Sequence, residues 1–208
     1  MPAKKSDQRR EAGQQTRDRL LAAAVDLLAQ RGQEGVTLRE ITEDAGANVA
    51  AVSYHFGSLR ALCDAAVEQA LERYLDAQLL ALSALGPSAT LSELARAFSR
   101  PMVDALLGGG PGLAVMRTVA RVGTEPPKGW DRLAGKFEQT RTDSLRVLRA
   151  NLPEVGEAEL VFRVRCAAGL LNWLALAPIG TELAGRSRKH VERLLTPVVA
   201  GALRGEPG

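Results

Sequence analysis

The stretch Val49–Phe56 (VAAVSYHF) carries no carboxylate, and besides its apolar residues it offers only small or hydrogen-bonding side chains: Ala50, Ala51, Ser53, Tyr54 and His55. A helix with no acidic group and with short side chains can lie close against a polyanion, which is what a recognition helix in a DNA major groove must do. Upstream, Thr37 and Glu40 stand three residues apart ahead of Ile41. That spacing is a capping box: the threonine hydroxyl binds a free backbone N–H of the first turn and the glutamate reaches back. Gly46 then ends the first helix, where a left-handed residue is needed.

Other chemistry finds little support. The two histidines, His55 and His190, belong to no HExxH, and no GxSxG or cysteine–histidine grouping occurs. The glycine-rich GGGPG at 108–112 is not followed by the Lys-Ser/Thr that a phosphate loop requires. Cys63 and Cys166 lie far apart without ligand-like spacing. Neither catalysis, a metal site nor a cofactor is expected. The unpaired cysteines suit a reducing, cytoplasmic compartment. The charged start lacks the apolar core of a signal peptide, and the apolar run from Cys166 to Ile179 is too short to span a bilayer, so no membrane partner is expected.

The elements that position the groove-compatible stretch can be read from periodicity. Leu21, Ala24, Val25 and Leu28 form one apolar stripe on a first helix expected to begin near Thr16 and close at Arg31-Gly32. A second helix is expected from Leu38 to Ala45, a third from Val49 to Phe56. Ser58 would cap a long fourth helix whose apolar face runs through Leu62, Ala66, Ala70, Leu71, Leu75, Leu79 and Leu82. With 46% hydrophobic and only 4% aromatic residues among 208, the core must be built mainly of leucine, valine and alanine. Residues 1–20 hold six basic and three acidic side chains, an excess as large as the +3 of the whole chain. A basic arm beside a recognition helix suits phosphate contact.

Residues 16–75 resemble the DNA-binding domain of the TetR/AcrR family of transcriptional regulators. The words that carry the resemblance are LLAQRG at the end of helix 1, Thr37-Leu38-Arg39-Glu40-Ile41, the Ala45-Gly46 turn, and Tyr54-His55-Phe56-Gly57-Ser58 leading into Ala61-Leu62. The resemblance implies that base edges of a double-stranded DNA operator are touched from Asn48, Val49, Ala50, Ala51 and Ser53, with His55 near the backbone or an edge. Ala50 and Ala51 would meet a thymine methyl, and Asn48 or Ser53 would hydrogen-bond. Thr37 and Tyr54 would hold phosphates, and Arg39 would reach a guanine or a phosphate. Where the family usually places Ser-Lys-Glu, this chain has Ser58-Leu59-Arg60. Arg60 is expected to replace the missing phosphate-contact lysine from one position further on.

The rest of the chain reads as further helices, giving an all-α fold of about nine: a three-helix helix-turn-helix domain joined by long helix 4 to a helical ligand-binding and dimerisation domain. The expected organisation is a basic flexible arm (1–15), the DNA-binding domain (16–60) and the C-terminal domain (61–208). Thr90 and Glu93 form a second capping box; Pro101 should kink helix 5 or start a new segment, and GGGPG should break the chain. The penultimate helix (about 159–176) is apolar nearly all round, and the last (about 188–203) carries Val191, Leu194, Leu195, Val198, Val199 and Ala202. Such helices need burial on more sides than one small domain supplies, so both are expected to pair with their twins in a homodimer, as the resemblance also implies. Candidate effector-pocket residues are Phe98, Met102, Met116, Arg117, Arg121, Trp130, Phe137, Asn172 and Trp173, which mix size, polarity and aromatic surface. If Arg117 and Arg121 turn inward, they suit an acidic or acyl-type effector; if outward, they are simply solvated, and the effector expected is a small hydrophobic or acidic molecule. The chain is thus expected to be a repressor released by an effector. The alternatives are a regulator without a small-molecule effector, or a helical scaffold or enzyme with an incidental helix-turn-helix.

Overall fold

Helix boundaries follow the capping chemistry. The structure is a computed structural model that describes residues 3–31, 35–108, 110–122, 131–177, 183 and 185–205. Among the described residues the elements are α1 (Ala3–Arg31), α2 (Leu38–Asp44), α3 (Val49–Phe56), α4 (Leu59–Ser83), α5 (Leu91–Gly108), α6 (Gly110–Val122), α7 (Asp131–Asn151), α8 (Glu157–Leu176) and α9 (Arg188–Arg204). Thr37 caps α2 in a complete capping box, Asn48 caps α3 through its side chain, and the Ser58 hydroxyl accepts from the Ala61 N–H at 3.1 Å to cap α4. The second capping box opens α5, with the Thr90 N–H donating to Glu93 Oε2 at 2.8 Å. Gly46 turns the chain between α2 and α3 at φ +57, a backbone that a side chain would strain.

One expectation about boundaries is corrected. The first helix begins at Ala3 rather than near Thr16, so the basic arm is helical. Its sequence to Gln15 holds no proline and a single glycine, and nothing in it stops a helix. Helix α5 runs through Pro101 as one element, so of the two outcomes expected there the proline does not start a new segment. Helix α5 ends at Gly108 and α6 begins at Gly110, so one helix stops and the next starts within GGGPG. Gly32, expected as a C-cap, lies outside the described residues.

Two buried clusters form the core. One gathers α1 to α3 around Leu20, Leu21, Leu28, Ile41, Val52 and Leu62; the other gathers α4 to α9 around Leu71, Leu75, Leu94, Met102, Leu133 and Leu148. Helix α4 belongs to both. Its first half gives Leu62, Cys63, Ala66 and Ala70 to the first cluster, and its second gives Leu71, Tyr74, Leu75 and Leu82 to the other. A second bridge comes from α6. Ala114 packs into the first cluster, Met116 and Val119 into the second, and the Thr118 hydroxyl donates to the Val25 carbonyl of α1 at 3.4 Å. Truncating a fully buried leucine such as Leu62 to alanine costs about 2–5 kcal/mol. Among the described residues no helix is long and apolar enough to cross a membrane, and no group of three or more His, Cys, Asp or Glu is placed to hold a metal.

Candidate nucleic-acid interface and ligand cavity

The exposed side of α3 is built by one buried residue. Val52 turns into the first cluster and anchors the helix, with Ala51 and Phe56 half-buried against the same core. The opposite face is thereby presented to solvent: Asn48, Val49, Ala50, Ser53 and Tyr54 are all exposed, Tyr54 at 84%. No acidic residue lies on it. Asn48 Oδ1 accepts from the Ala51 N–H at 2.8 Å as the N-cap, so a base contact by Asn48 would use its Nδ2 amide. His55 is half-buried: a methyl group added at Gly13 of α1 would sit 3.8 Å from its Cε1, and its ring meets Tyr54 edge-on. Arg17, also on α1, stacks its guanidinium 5.3 Å from the centre of the Phe56 ring. Helix α1 therefore runs beside the recognition helix around Gly13 and Arg17. Arg17 is a member of this surface that motif spacing did not single out, because the contact crosses between helices.

The cations are only loosely held. Arg39 pairs with Glu43 along α2 at 2.7 Å with its side chain 85% exposed, and Arg60 stands 3.9 Å from Asp64 of α4 with the same exposure. Exposed pairs of this kind contribute little, so either guanidinium can exchange its carboxylate for a phosphate at small cost. Thr37 is different. Its N–H and its hydroxyl both donate to Glu40 Oε2, at 3.0 and 2.7 Å, so a phosphate would have to displace that carboxylate. The geometry makes Thr37 the cap of α2, at the helix end where the phosphate contact is expected.

Glu40 ties this corner together, receiving the Thr37 donors and the guanidinium of Arg31 at the end of α1. The Thr37 hydroxyl first, then Arg31 and the Thr37 N–H, hold its carboxyl down at about 2. In the unfolded chain an ordinary glutamate titrates near 4.3. The contribution of Glu40 to the stability of α1–α2 is therefore present above that value and lost as pH falls toward 2. Glu40→Gln should flatten this part of the acid limb in a denaturation series followed by circular dichroism; an unchanged limb would count against the assignment.

Behind the reading head, the C-terminal cluster holds a cavity of about 300 Å³ walled by α4, α5, α6, α7 and α8. Of the nine residues expected to form a pocket, Phe98, Phe137 and Asn172 line it. Met102 and Met116 are buried in the core and do not line it, since both are almost fully enclosed by neighbouring side chains. Trp173 points outward and is 58% exposed, because one residue along a helix turns the side chain about 100° from Asn172. Arg117 lines a groove between α6 and the reading head instead, facing Asp26, Glu40, Glu43 and Asp44. Burial, and then Asp44, push the Asp26 carboxyl up. Arg121's side chain and Trp130 lie outside the described residues. Lining groups not anticipated include Tyr74, Gln78, Thr140, Glu138, Arg141 and Arg165.

Residues 20–66 match the family model described as bacterial regulatory proteins, tetR family, and residues 96–202 match a tetracyclin repressor-like C-terminal domain. The probable HTH-type transcriptional regulator YttP of Bacillus subtilis (strain 168) is 33% identical over 79 residues, which span 38% of this chain and 38% of that protein. The structure is similar to that of the TetR family transcriptional regulator PfmR from Thermus thermophilus, with a TM-score of 0.61, 21% identity and coverage of 92% and 98% of the two chains. It also resembles the multidrug binding protein EbrR solved in complex with malachite green, with a TM-score of 0.51, 22% identity and coverage of 89% and 96%. At these identities the likeness to solved structures is one of fold.

Proposed function

The chain belongs to the TetR family of bacterial regulatory proteins, as a transcriptional regulator with a DNA-binding domain, and on that premise we propose that it is a homodimeric repressor released from a palindromic operator by a small effector. The observation that carries this reading is the double membership of α4, which supplies Leu62 and Ala66 to the reading head's core and Leu71, Tyr74, Leu75 and Gln78 to the cavity wall. A molecule that moves the cavity end of α4 must move the reading-head end as well. Helix α7 is tied to the same lever: Lys136 reaches Glu72 at 3.1 Å and Asp76 at 2.5 Å, one turn apart on α4. Burial pulls the Lys136 ammonium down, but the two carboxylates outweigh it and leave it raised. In the dimer, two recognition helices about 34 Å apart read successive major grooves, and a shift of α4 spoils that spacing. The mechanism is a coupling free energy between two sites on one two-state element.

In this reading 1–60 forms the DNA-binding part and 61–208 the sensing and dimerising part, with α6 as a second strut between them. Base contacts come from Asn48, Val49, Ala50, Ala51 and Ser53, and phosphate contacts from Tyr54, Arg39, Arg60 and the helical arm, with His55 close to the backbone. The dimer forms through α8 and α9. The defining experiment is selection of bound duplexes from a random pool, followed by release of the selected duplex during a compound screen. A palindromic site is expected, and compounds that raise the melting midpoint should also lower operator affinity. A site with no two-fold symmetry, or stabilising compounds that never affect DNA binding, would overturn the model. Arg60→Ala should weaken operator binding and reduce the slope of log affinity against log salt by about 0.9 per subunit, the value of one phosphate. If the slope stays where it was, Arg60 is not the substitute for the family's lysine.

A further inference from the structure

We propose that the cavity selects an uncharged, largely apolar molecule carrying an N–H or O–H donor, and that the side-chain oxygen of Gln78 is the acceptor that selects it. The inference rests on reading this cavity as the effector site. Most of the lining is apolar, so the few polar atoms that reach the hollow set specificity. Gln78 of α4 is 2% exposed and lines the cavity. Its amide nitrogen is spent: Nε2 donates to the Phe98 carbonyl of α5 at 3.0 Å and to Tyr74 Oη at 3.3 Å. A carbonyl only accepts, so the nitrogen has to face Phe98 and the oxygen is the end left over. No described group donates to Oε1. Nor is that oxygen walled in. Among the described residues, the buried side-chain atoms that are unpaired and have no accessible surface are Thr140 Oγ1 and Thr196 Oγ1, and Gln78 Oε1 is not one of them. With so little of Gln78 exposed, the opening left to Oε1 is the cavity that the residue lines.

An amide oxygen has lone pairs and no proton, so it asks a ligand for a donor and nothing else. A molecule that covers Oε1 with a hydrocarbon edge strips it of water and returns no bond, whereas an N–H or O–H at the same place restores one. Charge is opposed by the walls. The ionic lining residues are Arg141, Arg165 and Glu138, an excess of one positive charge, and Glu138 is bound by Arg141, whose Nε donates to its Oε2 at 3.0 Å. An ammonium at Gln78 would exchange its hydration for one neutral oxygen inside a net positive lining. A carboxylate has no proton to give. The neutral donor is the end group that gains at Oε1 without the desolvation of a charge.

The test uses four three-ring probes of similar outline on the full-length protein: carbazole, whose N–H donates; dibenzofuran, whose oxygen can only accept; fluorene, which does neither; and protonated 9-aminofluorene. Carbazole should raise the melting midpoint most and bind about tenfold tighter than fluorene, with dibenzofuran no better than fluorene. Gln78→Met, similar in length and without the amide, should erase the carbazole preference and leave fluorene affinity unchanged. Asn172→Leu, which removes the other carboxamide of the lining, should keep the preference. Because Gln78→Met also loses bonds that hold α4 to α5, the parent complex supplies an independent reading: the N–H stretch of bound carbazole should lie below its value in cyclohexane. Equal binding of carbazole and fluorene, a preference for dibenzofuran or for the ammonium, or an unshifted N–H stretch overturns the proposal while the effector reading stands. So does a preference that survives Gln78→Met or vanishes with Asn172→Leu. Failure of all four to bind overturns it as well; the effector reading falls only if the wider operator-release screen is blank too.

Discussion

Replacing Ala50 with glutamate is expected to abolish operator binding and leave the protein as stable as before, or slightly more so. Ala50 is exposed at the second position of α3, on the face that bears no carboxylate. In the free protein the new side chain stands in the first turn, where a negative charge suits the helix dipole and contributes up to about 1 kcal/mol. The loss of alanine's helix propensity is smaller than that. On DNA the sign reverses. The carboxylate is pressed against a wall of phosphates and, at most bases, against acceptors, and like charges brought together at an interface cost several kcal/mol. A dimer suffers this twice, so a drop of about a thousandfold or more is expected, at about 1.4 kcal/mol per tenfold. The measurement is a fluorescence-anisotropy titration with the selected operator beside a melting curve. Retained affinity with an unchanged fold would remove α3 from the interface.

That reading face was legible because its signals are local. A cap, a box and a left-handed glycine each span three or four residues, and each places the next helix: Thr37 with Glu40, Gly46 and Ser58 act as their spacing implies, while Asn48 adds an N-cap beyond the groove contact expected of it. The cavity was not legible to the same degree, since its lining is assembled from five helices spread along the sequence. Residue type alone cannot say which side of a helix faces the hollow. Gln78 is buried and Leu80 is 74% exposed on the same helix, the reverse of what their polarity suggests, because the Gln78 amide is satisfied by Tyr74 and by the Phe98 carbonyl of α5. Asn172 and Trp173 divide in the same way. The α6 bridge escaped notice for a third reason. Thr118 meets Val25 across 93 residues, and nothing in either local sequence reports the other.

The outward tryptophan leads to the second large effect: Trp173→Asp is expected to give a folded monomer with little operator affinity. Along α8 the exposed residues Phe162, Cys166, Gly169, Trp173 and Leu176 recur at alternating spacings of four and three, which is the seam of a helix that packs against a partner. On α9, Leu194, Val198 and Gly201 continue the pattern. Added Cβ atoms at Gly169 and Gly201 meet nothing within 4 Å, so both positions leave room for a close approach. The inner faces of the two helices are already spent on the core, through Leu160, Leu171, Val191 and Val199. In the proposed dimer this seam would meet a second copy of the same pair in a four-helix bundle about a two-fold axis. A buried interface tryptophan costs about 2 kcal/mol or more on truncation, and a symmetric dimer holds two, so association should weaken at least a thousandfold before the charge is counted. Sedimentation velocity reads the monomer directly. Alkylation reads the uncovered seam: Cys63 is buried, so Cys166 is the exposed thiol, and it should react faster in the variant than in the parent. Leu80→Asp, exposed on α4 rather than on α8 or α9, should change neither. Since two half-sites are bound together only by a dimer, operator affinity should fall with dimerisation and recover as protein concentration is raised. A variant that stays dimeric, with Cys166 as unreactive as before, would place the two-fold axis on another face.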